Sequence, residues 1–224
     1  MDLPSGPHTR RSHRLAKHRS TKLTSAHAIS PKVWPVLVQV ENTSLTDVML
    51  IRPPRFGDDR GWFSESYNAA KLAGQGITTV FVQDNHSMSA APGTLRGLHY
   101  QRPPHAQAKL VRCSRGVILD VAVDIRRGSP HYGQWVAVEL SAENGRQLLI
   151  PQGFAHGFVT RSADCEVQYK SSDIYAPECD GAIRWDDPDL GIDWGLSTPP
   201  HLSAKDRAAP LFATFQSPFT WGTP

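Results

Sequence analysis

The sequence predicts an all-β domain, a sandwich or barrel of antiparallel strands. Two observations carry this. Beyond about Val36 the chain falls into short apolar runs separated by Gly, Pro, Asn and Asp, and those runs have strand length and recur at short intervals. The run VILDVAVDI alternates strictly, setting Val117, Leu119, Val121, Val123 and Ile125 on one face and Ile118, Asp120, Ala122 and Asp124 on the other.

Residues 1–35 differ in kind. They hold Arg10, Arg11, Arg14, Lys17, Arg19, Lys22 and Lys32 against the single acid Asp2, with few large apolar side chains. Such a segment cannot bury enough surface to offset its ordering entropy, so it reads as a disordered basic extension. An organelle transit peptide or an over-long start has the same composition. The remainder, 36–224, is one domain and slightly acidic, which gives no electrostatic footprint for nucleic acid. Cys113, Cys165 and Cys179 are odd in number and lack CxxC spacing, against a disulfide framework or a structural zinc site. No apolar run approaches the roughly 20 residues a bilayer span needs. A soluble protein of the reducing cytoplasm is the expectation.

In chain order, the expected strands are VMLI (48–51), TTVFVQ (78–83), the segment around LRGLHYQ, KLVRC, VILDVAVDI, QWVAVEL, RQLLI and EVQYK. The first half has one plausible helix, near Asn68–Gly74, which the glycine ends. KLVRC and VILDV are joined only by Ser114–Gly116, so a hairpin is expected there. A register with Ser114 opposite Val117 would bring Lys109 and Asp120 onto one face, where their burial costs partly offset. Gly97 interrupts an apolar strand. A bulge at that glycine would turn Arg96 and His99, otherwise on opposite faces, to the same side.

Arg, His, Lys and Asp thus gather within about twenty-five residues of strand, and unpaired charges in such a place are costly. They either pair with each other or face a wet cavity. Taken singly, each has a structural reading. His99 is a satisfied core histidine, Lys109 with Asp120 an ion pair, Tyr169 a packed tyrosine, and Asp206 a cap of the helix-like AKDRAA.

The stretch NGRQLLIPQGFAHGF has the spacing Gly, five residues, Pro, one, Gly, two, His. It resembles the second motif of the cupin superfamily, which folds as a double-stranded β-helix, or jelly-roll barrel. His99 and His105 stand six apart with no His-x-His, so the usual cupin metal set is incomplete and a metal-dependent oxygenase is disfavoured. FGDDRGWFSESYN, FVQDNHS, LRGLHYQ, AKLVRCSRGVILDVAVDIRRGSPHYGQW, LSAENGRQLLIPQGFAHGF, YKSSDIYAPE and LSAKD together resemble the dTDP-4-dehydrorhamnose 3,5-epimerase family, in the family's order, from about Val48 to Asp206.

That resemblance implies a homodimer using neither metal nor cofactor, acting on a dTDP-linked 4-keto-6-deoxyhexose. It implies His99 as base, Asp206 as the holder of its tautomer, Tyr169 as the acid on the opposite face, and Lys109 as stabiliser of the enolate oxygen. Asp120 and His156 would line the same pocket. Arg60, Glu65, Gln83, Asn85, Arg96, Tyr175 and Lys205 would surround the nucleotide or sugar, and Phe56 and Arg60 would reach in from the partner subunit through an exchanged N-terminal strand. Two departures stand out. Ile174 precedes Tyr175 where the family commonly pairs tyrosines, and Ala108 replaces a common glycine beside Lys109. The alternatives are a single-carbon epimerase for another nucleotide-linked deoxysugar, or a non-catalytic sugar-binding cupin.

Overall fold

The computed structural model describes residues 37–45 and 47–222. The expected disordered extension, 1–35, lies outside them. The N-terminal half contributes β1 (Gln39–Asn42), β2 (Met49–Arg52), β3 (Phe56–Asp58), β4 (Gly61–Phe63), α1 (Ala69–Ala73), β5 (Gln83–Ser89), β6 (Leu95–Gln101), β7 (Lys109–Arg115) and β8 (Val117–Asp124). There follow β9 (Arg126–Arg127), β10 (Trp135–Ser141), β11 (Gln147–Ile150), β12 (Phe154–Thr160), β13 (Cys165–Ser171), β14 (Asp180–Ala182), α2 (Ala204–Arg207) and β15 (Phe219–Thr220).

Six strands form one sheet in the order β1-β2-β11-β7-β13-β5, and five form the other in the order β10-β8-β12-β6-β14. Every pairing within these two sheets is antiparallel. Stacked face to face, they make the double-stranded β-helix, with a core between them that includes Leu148, Ile150, Val111, Val167, Ile118, Phe154 and Phe158. The outer face of the five-stranded sheet is covered in turn. Leu95, Leu98, Val121, Val123 and Ile125 pack there against Trp185, Leu190, Trp194, Phe212, Phe215 and Phe219 from the C-terminal segment. The alternation in β8 therefore holds, but both of its faces are buried.

The hairpin expected at Ser114–Gly116 does not form. β7 lies between β11 and β13 in one sheet, and β8 lies between β10 and β12 in the other. Gly116 takes the chain across at φ 78°, a conformation that side-chain-bearing residues avoid. A Cβ there would also stand 2.5 Å from Ser162 Oγ and 2.6 Å from Cys165 Sγ. The expected strand at 78–83 is also displaced, since β5 begins only at Gln83. Residues 78–82 form an irregular cover instead, tied to β13 by the Val82 amide, which donates to the Ser171 carbonyl at 2.9 Å. Phe81 packs with Ile77 and Leu72 on the outer face of the six-stranded sheet, while Val80 and Val82 face outward. The helix is where the sequence puts it, with Asn68 accepting from the Lys71 amide as N-cap and Gly74 at the C-cap. Among the described residues no helix is long and apolar enough to cross a membrane.

β6 and β12 meet at two glycines. Between them the register slips, three residues of β12 (His156 to Phe158) spanning four of β6 (Arg96 to His99), so β6 carries the bulge at Gly97. A Cβ on Gly97, at φ 130°, would lie 2.5 Å from Gly157 Cα and 2.8 Å from the His156 carbonyl oxygen, both rigid backbone. Gly97→Ala should lower stability by about 3 kcal/mol or more and the melting midpoint by about 6–12 °C. Gly76→Ala is the control: it shares a positive φ (84°) but meets nothing within 4 Å, and should cost only about 1 kcal/mol. Equal shifts in thermal unfolding of the two variants would show that the close approach of the strands carries no weight.

Candidate active site

The bulge sets the first part of the site. With Leu95 and Leu98 packed into the outer cluster, Arg96 and His99 both turn to the barrel interior, opposite Phe158 and His156 respectively. His99 is bonded through Nε2 to Asp206 Oδ1 at 2.5 Å, and Asp206 is buried. Asp206 sits in the first turn of α2. Ser203, the N-cap, accepts from the Asp206 amide at 3.0 Å and donates to Asp206 Oδ2 at 2.8 Å, so both carboxylate oxygens are engaged. The helix-cap reading and the histidine-partner reading are therefore both satisfied by one side chain. Burial opposes ionisation of Asp206. Hydrogen bonds from His99 and Ser203, the His99 charge and the Gly97 amide outweigh it and hold the carboxyl below its usual range. With Nε2 tied to a carboxylate, the imidazole is fixed in one orientation and tautomer, leaving Nδ1 to exchange protons.

A second buried pair lies beside it. His156 Nε2 and Asp120 Oδ1 are 2.8 Å apart, and Asp120 Oδ2 is buried with no partner among the described residues. Lys109 comes from the opposite sheet, so its proximity to Asp120 arises across the barrel and not through the expected hairpin register. Burial drives the Lys109 ammonium down from 10.5 to about 8, against the pull of Asp180 and Asp120 and with help from Lys205. Among the described residues it has no hydrogen-bond or ion-pair partner, and Nζ stands 5.9 Å from the centre of the Tyr169 ring. Tyr169 packs on the inter-sheet core, and burial, partly offset by the charge of Arg96, pushes its phenol up. An imidazole held by a carboxylate on one sheet, with a phenol and an unpaired ammonium on the other, is a set able to move protons beside a carbonyl group.

The remaining candidates divide into two groups. Arg96 donates to Ser89 Oγ and the Met88 carbonyl, Gln83 to Asn85, and Asn85 to Ser171, all near the Tyr169 strand. Tyr175 and Lys205 converge on Asp180, the phenol at 3.3 Å and the ammonium in a short ion pair. Phe56 and Arg60 are not brought to this set within one chain, whereas Glu65 lines one cavity with Asn85 and Tyr169. Phe56 and Arg60 sit on the exposed β3–β4 hairpin, where Arg60 pairs with Asp58 at 2.5 Å, and Glu65 pairs with Lys71 at 2.8 Å. Asp180 was not singled out in the sequence, yet it binds two candidates and its charge acts on Lys109 and Tyr169. No periodicity marks an acid in PECDGA; only the pairing of β14 with β6 brings it in. Among the described residues no group of three or more His, Cys, Asp or Glu is arranged to hold a metal ion.

Lys109 should titrate near pH 8 when followed by NMR of its side chain. In Asp180→Asn the midpoint should fall, because a negative charge that favours the ammonium is removed while Asp120, Lys205 and Tyr169 stay in place. A midpoint near 10.5 in either protein would contradict the buried environment.

The sequence model of the dTDP-4-dehydrorhamnose 3,5-epimerase family matches residues 42–214. The dTDP-4-dehydrorhamnose 3,5-epimerase of Salmonella typhimurium is 55% identical over 175 residues, 77% of this chain and 94% of that protein. That of Pseudomonas aeruginosa is 56% identical over 171 residues, 76% of this chain and 93% of that one. Among solved structures, dTDP-6-deoxy-D-glucose-3,5-epimerase from Legionella pneumophila, in complex with dTDP-4-keto-L-rhamnose, superposes with a TM-score of 0.79 at 46% identity, covering 84% of this chain and all of that one. A 3'-monoepimerase from Streptomyces bikiniensis, in complex with dTDP-quinovose, gives 0.73 at 35% identity, covering 77% and 87%. On the extent of the family match and the identity to its members, the chain belongs to the dTDP-4-dehydrorhamnose 3,5-epimerase family.

Proposed function

We propose that this protein epimerises dTDP-4-dehydro-6-deoxy-D-glucose at C3 and C5, giving dTDP-4-dehydro-L-rhamnose, without metal or cofactor. The observation that carries the reading is the His99–Asp206 dyad on one sheet facing the Tyr169 and Lys109 side of the other. Identities of 55% and 56% to two 3,5-epimerases, against 35% to the 3'-monoepimerase, support inversion at both carbons.

C3 and C5 both flank the C4 ketone, so the hydrogen on each is acidic once the enolate is stabilised. His99 takes the proton, the electron pair moves to the C4 oxygen, and the Lys109 ammonium stabilises the charge that develops there. Tyr169 then gives its phenolic proton to the same carbon from the opposite face. Solvent reprotonates the tyrosinate and relieves the imidazolium, and the sequence repeats at the second carbon. Asp120 and His156 complete the wall of the pocket, while Arg96, Gln83, Asn85, Tyr175 and Lys205 hold the nucleotide and sugar. Ile174 stands beside Tyr175, so that neighbouring position offers no second ring.

The protein acts as a cytoplasmic homodimer in this reading. Phe56, Trp62 and Phe63 leave more than half of their surface in water on one hairpin, a costly arrangement for a lone chain and one that suits insertion against a second copy. Phe56 and Arg60 then serve the partner's site, which accounts for their separation from His99 in a single chain. The basic extension 1–35 takes no part in the chemistry.

In deuterated buffer with chelator, proton NMR of the substrate should show deuterium entering at both C3 and C5; entry at one carbon would indicate a single-carbon epimerase, and none a binding protein. Tyr169→Phe should keep deuterium exchange with retention while inversion falls about 100- to 10,000-fold, whereas His99→Ala should lose both. If exchange and inversion fall together in Tyr169→Phe, that residue is not the opposite-face acid.

Arg60→Ala and His99→Ala should each be nearly inactive alone. Mixed and allowed to exchange subunits, they should recover activity, because one of the two heterodimer sites then has both residues. Absence of recovery after verified exchange would place Arg60 and His99 in the same chain's site.

A further inference from the structure

The rim segment 173–176 presents Ile174 and Tyr175, each 56% exposed. It has no regular secondary structure, so its backbone amides and carbonyls need partners from elsewhere. Three glutamine side chains supply four of them, while the Ile174 amide donates to the Asp173 carboxylate and the Ala176 carbonyl accepts from the Cys179 amide. Gln101 donates through Nε2 to the Ile174 carbonyl at 3.1 Å and to the His105 carbonyl at 2.7 Å, and its Oε1 accepts from the Ala176 amide at 2.9 Å. Gln83 accepts from the Tyr175 amide at 2.9 Å. Gln107 donates to the Asp173 carbonyl at 2.8 Å and to the Ile174 carbonyl at 3.2 Å.

Gln101 differs from the other two in place. It is 4% exposed, and it stands on β6 two residues beyond His99, directly opposite Asp180 of β14. Its amide therefore ties the rim on one side, and the 102–107 turn on the other, to the strand that carries the proposed base. A rim ordered in this way loses little freedom when a ligand arrives, so its contacts count fully toward binding.

We propose that Gln101 is a positioning residue for nucleotide recognition: it fixes the Tyr175 rim relative to the His99 strand, and so sets the span between the group that grips the nucleotide and the group that takes the proton. The inference rests on the function proposed above. It makes a division that simple structural filling would not. His99 keeps Asp206 and its place opposite His156 whatever becomes of the rim, so the chemical step should survive loss of the Gln101 amide while affinity for the nucleotide should not.

The test is calorimetric titration of dTDP alone into wild type, Gln101→Met and Gln107→Met, alongside steady-state kinetics with the nucleotide sugar. Gln101→Met, which leaves the His105 carbonyl and the Ala176 amide without their side-chain partner and the Ile174 carbonyl to Gln107 alone, should weaken dTDP binding by roughly tenfold or more, and Gln107→Met by a few-fold. KM should rise in the same order, with kcat at saturation within about threefold of wild type. Unchanged dTDP affinity in both variants overturns the proposal, as does a fall in kcat with KM unchanged. Should Gln101→Met fail to fold, Gln107→Met decides by the same criteria. If the wild type binds dTDP but turns nothing over, the proposed reaction fails, and the dTDP comparison still judges Gln101.

Discussion

Two glycines without side chains, Gly97 on β6 and Gly157 on β12, let their strands approach more closely than any other residue pair there would permit. The bulge that results puts Arg96 and His99 on one face of a strand whose regular pleat would have separated them. The Gly97 amide, turned by the same distortion, also contributes to Asp206. Local geometry of the main chain is thus the condition for the dyad. Most of what surrounds it, from the leucines behind β6 to the C-terminal cover, holds that distortion in place.

The barrel interior carries charge at a cost. A lysine brought from 10.5 to about 8 has had its cation disfavoured by roughly 3 kcal/mol, and Asp120 keeps one oxygen without a partner. Neither is an economical way to fill a core, and large apolar clusters on both outer faces of the sheets supply the compensating stability. An ammonium left without a partner in a poorly hydrated place interacts strongly with any negative charge that develops beside it. What is unfavourable in the free protein becomes favourable at the enolate of the proposed reaction.

Strand identity was readable because alternation and glycine punctuation are local properties. VILDVAVDI, KLVRC, QWVAVEL, RQLLI and EVQYK each became strands, and Asn68 with Gly74 bounded the helix. Which strand lies beside which was not readable. β7 and β8 are joined through Gly116 alone, and nothing local distinguishes a chain that folds back on itself from one that crosses to the facing sheet. TTVFVQ alternates as a strand does because Phe81 packs inward between two outward valines, though only its end, Val82 and Gln83, bonds to a neighbouring strand. The bulge at Gly97 could be anticipated, since glycine in an apolar strand has few other uses. Asp180 could not, because its place depends on β14 meeting β6, Asp180 pairing with Gln101 far back along the chain.

His99 and Asp206 are 107 residues apart in sequence. Every strand of both sheets is complete by Ala182, whereas the carboxylate that orients the imidazole arrives in a one-turn helix near the end of the chain. A helix of that length has almost no stability of its own and exists because Ser203, Gly97 and His99 bind its acid. During synthesis the barrel strands therefore leave the ribosome before the dyad can form. A nascent or prematurely terminated chain could resemble the finished barrel in its sheets and still lack an oriented His99, which makes proton transfer in the proposed reaction the last competence this fold acquires.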